Sequence, residues 1–181
     1  MLDFSKNHFE LFGLPVGYRV DGDLLAERYR ALQHRLHPDR YAAAGDREKR
    51  LSMQASARVN EAFQTLRDPL ERARYLVSLH TGDNDGGKEM TQDMAFLAEQ
   101  MELREALSEV RSRPDPIGAV GEILDHLAGQ SNVLVGKLEV LLEAPSPQDL
   151  EAARELVSKL QFVSKCRVEA ENLEAELDEL L

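Results

Sequence analysis

Tryptophan is absent from this 181-residue chain, cysteine occurs once and aromatic residues make up only 6%. A lone Cys166 excludes an intramolecular disulfide and any multi-cysteine zinc site, which fits a reducing compartment. With so few aromatics, the core has to come from Leu, Val, Ala and Met, which suits helix packing better than sheets. Cations are also scarce. Lys and Arg total 22 against 33 Asp and Glu, a net charge of -11. Such a chain is a poor nucleic-acid ligand, because neutralising phosphates requires clustered Lys and Arg. No apolar run approaches the ~20 residues that cross a bilayer. The start, MLDFSKNHFELFGLP, lacks a cationic segment followed by a long apolar one, so no signal peptide is read and the expected location is cytoplasmic. There is no glycine-rich phosphate loop and no nucleophile motif, so the chain is expected not to be an enzyme and to carry no cofactor.

What is present is helical periodicity. At 43% hydrophobic and 30% charged, the chain can bury a core and stay in solution, and its length allows one or two small domains. Ser5 is read as the cap of a first short helix containing Phe9 and Phe12, stopped by Gly13 and Pro15. A helix opening near Asp21 carries Leu25, Tyr29, Leu32 and Leu36 at spacings of 4, 3 and 4. Pro38 ends it, because a residue preceding proline is pushed out of the helical region. A third helix runs from about Asp46 to Leu66 with Leu51, Ala55, Val59, Ala62 and Leu66 on one face. Asp68 and Pro69 restart the chain as cap and first residue of a helix reaching His80. TGDNDGGKE, with three Gly, two Asp and one Asn, marks a linker.

Beyond the linker, a helix capped by Thr91 ends at RPDP. A stretch over 116–143 follows, in which Gly129 is an expected point of interruption. The last helix is capped by Ser146, opened by Pro147 and boxed by Asp149. It carries a near-heptad seam through Leu150, Ala153, Leu156, Leu160, Val163, Ala170, Leu173 and Leu177. Three helices on short loops predict an antiparallel bundle.

The stretch HRLHPDR, with HFELFGLP before it and VNEAFQTLRDPLERARY after it, resembles the J-domain of DnaJ-type co-chaperones over residues 4 to about 80. The resemblance implies an antiparallel helical hairpin whose connecting loop and preceding helix bind a DnaK-type ATPase chaperone and stimulate its ATP hydrolysis. The implied contact residues are His37, Pro38, Asp39 and Arg40 in the loop, with Arg28, Arg30 and Arg35 on the helix before it. Physically, Pro38 fixes the turn, while His37 and Asp39 present a donor and a charged acceptor. The arginines form a local basic surface on an acidic chain, suited to steering an acidic partner. Ala26 and Ala31 stand where related J-domains often carry Arg or Lys, which thins that face. A metal or acid–base site built from His34, His37 and Asp39 would lack a fourth ligand and a pocket. His8, His80 and His126 read as isolated surface or packing residues.

AFLAEQMELREAL places Phe96, Leu103, Leu107 and Val110 on one side of a helix and Leu97, Ala98, Met101, Glu102 and Glu105 nearly opposite, at ~100° per residue. Leu97 and Met101 are therefore expected to be exposed beside carboxylates, as is Phe162, which falls off the seam of the last helix. Large exposed apolar residues with a charged rim suggest either a partner site or packing against another part of the chain. With HFELFGLP and DPLERARYLVSLH, this segment resembles the HscB family, the J-proteins of iron–sulfur cluster assembly, over nearly the whole chain. That resemblance implies an all-α protein in two parts, roughly an L: a J-domain at 1–81, a linker at 82–91 and a three-helix scaffold-binding domain at 92–181. It also implies that Leu97, Ala98, Met101, Glu102, Glu105 and Phe162 hold IscU, the scaffold on which the cluster is built, for delivery to HscA. Ala98 departs from the family pattern, and its missing side chain removes about 1 kcal/mol of contact. The expected partners are an HscA-type chaperone and an IscU-type scaffold, with no nucleic acid and no membrane, and the chain alone is expected to be monomeric. The alternative is a J-domain adaptor that delivers a different client to a general DnaK-type chaperone.

Overall fold

Local capping chemistry sets most helix ends. The structure is a computed structural model that describes residues 3–36, 45–82 and 93–179, and every α-helix and 3₁₀ turn below lies within them. The helices are α1 (His8–Phe12), α2 (Gly22–Leu36), α3 (Asp46–Arg67), α4 (Pro69–Thr81), α5 (Met94–Glu109), α6 (Pro116–Leu141) and α7 (Pro147–Asp178), with a 3₁₀ turn at Val110–Ser112.

Asp21 Oδ1 accepts from the N–H groups of Asp23 and Leu24 to start α2, both at 3.0 Å. Asp68 does the same for α4 through Glu71 N–H at 2.9 Å. Ser146 and Asp149 form the expected capping box on α7. Two expected caps are corrected. The cap of α1 is Asn7, boxed with Glu10 at 2.9 Å in both directions. Ser5 instead turns back on Asp3, giving it both its N–H and its hydroxyl. The cap of α5 is Asp93, which accepts from Ala95 and Phe96 N–H groups at 3.0 and 3.1 Å. Thr91 lies outside the described residues. At the end of α1, Gly13 takes φ +65°, a left-handed conformation that glycine adopts without the penalty of a Cβ.

The chain divides into two compact units, Met1–Leu79 and His80–Leu181. In the first, α2 and α3 form an antiparallel hairpin, with α1 packed on both. Phe9, Phe12, Leu25, Val59, Leu66, Leu76 and Val77 are fully buried at its centre. Along the hairpin, Tyr29 stacks on Phe63 with ring centroids 4.0 Å apart. Its hydroxyl donates to Asn60 Oδ1 at 2.9 Å. At the far end, the buried Ser52 hydroxyl donates to the Leu36 carbonyl at 2.7 Å. This bond fastens α3 to the last residue of α2.

In the second unit, α6 and α7 make the main helix pair and α5 packs on both. The core joins Leu107, Val110, Val120, Leu127, Val163, Cys166 and Ala170. Two sequence expectations change here. Gly129 does not interrupt α6, which runs as one helix from Pro116 to Leu141. A single glycine costs helix stability but keeps the hydrogen-bond ladder, and packing supplies the difference. On α7, the deeply buried positions are Ala153, Val157, Leu160, Val163, Cys166 and Ala170, so Val157 takes the core position given to Leu156. Leu156 is half-buried beside it.

Candidate functional site

On α2 the spacing of apolar residues decides what faces out. Leu25 is buried and Tyr29, Leu32 and Leu36 are half-buried against α3, which leaves Arg28, Arg30 and Arg35 exposed with His34. The hairpin presents this cationic face up to Leu36, where Ser52 fixes it. His37, Pro38, Asp39 and Arg40 lie outside the described residues. Among those described, no three His, Cys, Asp or Glu side chains are grouped to hold a metal ion.

The second candidate lies on α5 and α7. Phe96, Leu107 and Val110 are buried and Leu103 is half-buried against the core, as expected. Met101 is 74% exposed, and Ala98, Glu102 and Glu105 are exposed beside it. Two expectations are modified. Leu97 is half-buried rather than open. Phe162 is also half-buried, packed against the core while keeping part of its ring in solvent. Its ring and that of Phe96 lie 5.7 Å apart between centroids with an 84° interplanar angle. That T-shaped geometry suits the ring quadrupoles and fixes the orientation of Phe162.

Two features that hold this patch went unread in the sequence. Lys159 Nζ reaches Asp93 Oδ2 at 2.7 Å and Glu155 Oε1 at 3.0 Å, and lies 5.4 Å from the centroid of Phe96. Burial pulls the Lys159 pKa down, but the hydrogen bonds to Asp93 and Glu155 outweigh it and leave the ammonium above its usual range. The same hydrogen bond from Lys159, helped by Phe96 N–H, holds the Asp93 carboxyl below its usual range. Asp93 therefore caps α5 and ties its first turn to α7. The second feature is Arg104, whose guanidinium sits over the Phe162 ring, 5.6 Å from its centroid. Its spacing of seven from Leu97 was legible as a shared helix flank. Its stacking on α7 was not, because that depends on how two helices meet.

A partly exposed apolar centre with a carboxylate edge, carried on two packed helices, has the composition common at protein contacts. Residues 92–180 match the family described as "HSCB C-terminal oligomerisation domain". The co-chaperone protein HscB homolog of Shewanella amazonensis is 40% identical over 168 residues, covering 93% of this chain and 97% of that one. The chain belongs to the HscB co-chaperone family. Among solved structures, chaperone HscB from Vibrio cholerae superposes with a TM-score of 0.84 at 41% identity, covering 95% of this chain and 99% of that one. The human co-chaperone protein HscB gives 0.83 at 29% identity, covering 93% and 82%. The all-α architecture, a J-domain followed by a three-helix bundle, is thus that of the HscB family. No described helix is long and apolar enough to cross a membrane.

Proposed function

We propose that this HscB-family chain delivers an IscU-type iron–sulfur scaffold to an HscA-type chaperone and stimulates that chaperone's ATPase, assisting cluster transfer. In this reading the J-domain spans 1–81, residues 82–91 link it to the scaffold-binding domain, and the protein acts in the cytoplasm as a monomer without catalytic chemistry or a cofactor of its own. ATP binds the partner. The chaperone contact comprises His37, Pro38, Asp39 and Arg40 with the exposed Arg28, Arg30 and Arg35. The scaffold contact comprises Leu97, Ala98, Met101, Glu102, Glu105 and Phe162. The observation that carries the reading is Met101, a long apolar side chain 74% exposed beside the half-buried Leu97 and Phe162, on a chain whose family is named for co-chaperones. Burying a fully exposed side chain of that size is worth about 1.5–3 kcal/mol.

The test is single-turnover ATP hydrolysis by an HscA-type chaperone with this protein, with and without an IscU-type scaffold. Synergy with the scaffold is expected, and it should vanish in the Leu97→Ala/Phe162→Ala double variant. Stimulation without any scaffold effect would leave the J-domain role and refute the iron–sulfur delivery. It would favour the adaptor for another client, the reading to which the small Ala98 lends support, whereas the thinned α2 face at Ala26 and Ala31 speaks for a narrower choice of chaperone.

A further inference from the structure

Two methionines stand out from α5. Met94 is 76% exposed and Met101 74%. They are seven residues apart, so at about 100° per residue they lie within about 20° of one another and about 10 Å apart along the helix. Ala98 falls between them and contributes only a methyl group, and Leu97 is half-buried. The two thioethers therefore carry the outermost apolar atoms of the stripe. Met94 does not owe its exposure to a frayed end. Asp93 accepts from the N–H groups of Ala95 and Phe96, and Lys159 fastens Asp93 to α7 at 2.7 Å. Met94 thus projects from a capped and anchored turn.

Sulfur is placed differently elsewhere in the chain. Cys166 is 3% exposed, and burial, reinforced by Glu169 and partly opposed by Arg104, raises its thiol pKa. Oxidants attack the thiolate, so this thiol is poorly reactive. Met53 is exposed, but it lies on α3 in the first unit. A thioether has no proton to lose and reacts where an oxidant reaches its sulfur. With hydrogen peroxide, the sulfur lone pair attacks one oxygen, an S–O bond forms and the O–O bond breaks. The departing hydroxide takes the proton left on the transferred oxygen and leaves as water. Sulfur gives up two electrons and the peroxide gains them. The sulfoxide so formed places a polar acceptor where docking requires apolar surface. Covering that oxygen with a partner that offers no donor weakens binding.

We propose that Met94 and Met101 are oxidation sites that switch off scaffold capture: hydrogen peroxide turns the outer stripe from apolar to polar, and enzymatic reduction of the two sulfoxides restores it. This deepens the preceding reading and rests on it, since the function lost is docking of the scaffold protein.

The test treats the full-length protein with hydrogen peroxide, removes the oxidant, and then titrates an untreated IscU-type scaffold by calorimetry. Peptide mass spectrometry should find one added oxygen on each of Met94 and Met101 and none on Cys166. Affinity is expected to fall about tenfold or more, the range for burying an unsatisfied acceptor, and to return after treatment with methionine sulfoxide reductases for both epimers. The thermal midpoint should not change, because neither side chain is in the core. Each variant is compared with itself before and after peroxide. Met94→Leu/Met101→Leu should bind equally in the two states, whatever its starting affinity, while Met53→Leu should stay as sensitive as the parent. If the doubly oxidised parent binds like the untreated protein, or if the double leucine variant loses as much affinity as the parent, the inference fails and the scaffold site stands. Loss of the folded state on oxidation would also overturn it. If the untreated parent shows no scaffold binding, both readings fail.

Discussion

His8 shows how one side chain couples the first unit to pH. It is 4% exposed, and its ring stacks on Tyr75 with centroids 4.1 Å apart. Neither ring nitrogen has a hydrogen-bond partner among the described residues. Burial, reinforced by the nearby Arg58 and partly opposed by Glu61, lowers its pKa from 6.5 to about 4. The fold therefore holds the neutral imidazole, and the unfolded chain binds the extra proton first. The stability this contributes is complete above pH 6.5 and is lost as the pH falls toward 4, by about 3 kcal/mol in all. Urea unfolding midpoints should fall over that window in the native chain and fall less in His8→Phe, which keeps the stack and cannot be protonated. Equal acid sensitivity of the two would place the titrating group elsewhere. Sequence periodicity leaves His8 an isolated histidine. Its burial follows from α1 packing on the first unit's core, where Tyr75 supplies a ring to stack on and its hydroxyl accepts from the His8 backbone N–H at 2.9 Å.

At the scale of elements, α6 is continuous although its sequence argues for a break. Gly129 and Gly136 sit on its exposed side, and a Cβ added at either meets nothing within 4 Å. Neither glycine is therefore needed for packing within the chain, and each costs about 0.5–1 kcal/mol relative to alanine in a helix interior. Gly129→Ala with Gly136→Ala is expected to raise stability by about 1–2 kcal/mol, a shift of several degrees in the thermal midpoint. An unchanged or lower midpoint would show that α6 is not the regular helix described. The opposite case is α7, whose start was fully legible, because Ser146, Pro147 and Asp149 act on backbone groups within three residues of one another. Local chemistry of this kind needs no knowledge of the rest of the fold. The choice between Leu156 and Val157 does, since both fall near the seam and the partner helix decides which one enters the core.

At the scale of the whole molecule, the proposal assigns separate tasks to separate units, and one substitution should divide them. His37→Gln is expected to abolish stimulation of the chaperone's ATPase while leaving scaffold affinity within about twofold of the native protein, because the two proposed contacts fall in different compact units and share no residue. Paired ATPase and titration measurements on that variant check it. A parallel loss of scaffold binding would show that the two tasks are not separable.

By itself the sequence determined the helical class, the two-part order, most helix starts and the residues worth testing, since caps, 3/4 spacings and the HPD-centred segments all act over short stretches of chain. Tertiary structure alone decided that Phe162 is only half exposed, that it leans on Phe96, that Arg104 stacks over it and that Lys159 ties α7 to the first turn of α5. Periodicity gives each side chain an angle about its own helix axis. Which angles meet across two helices is set by close packing of the core between them.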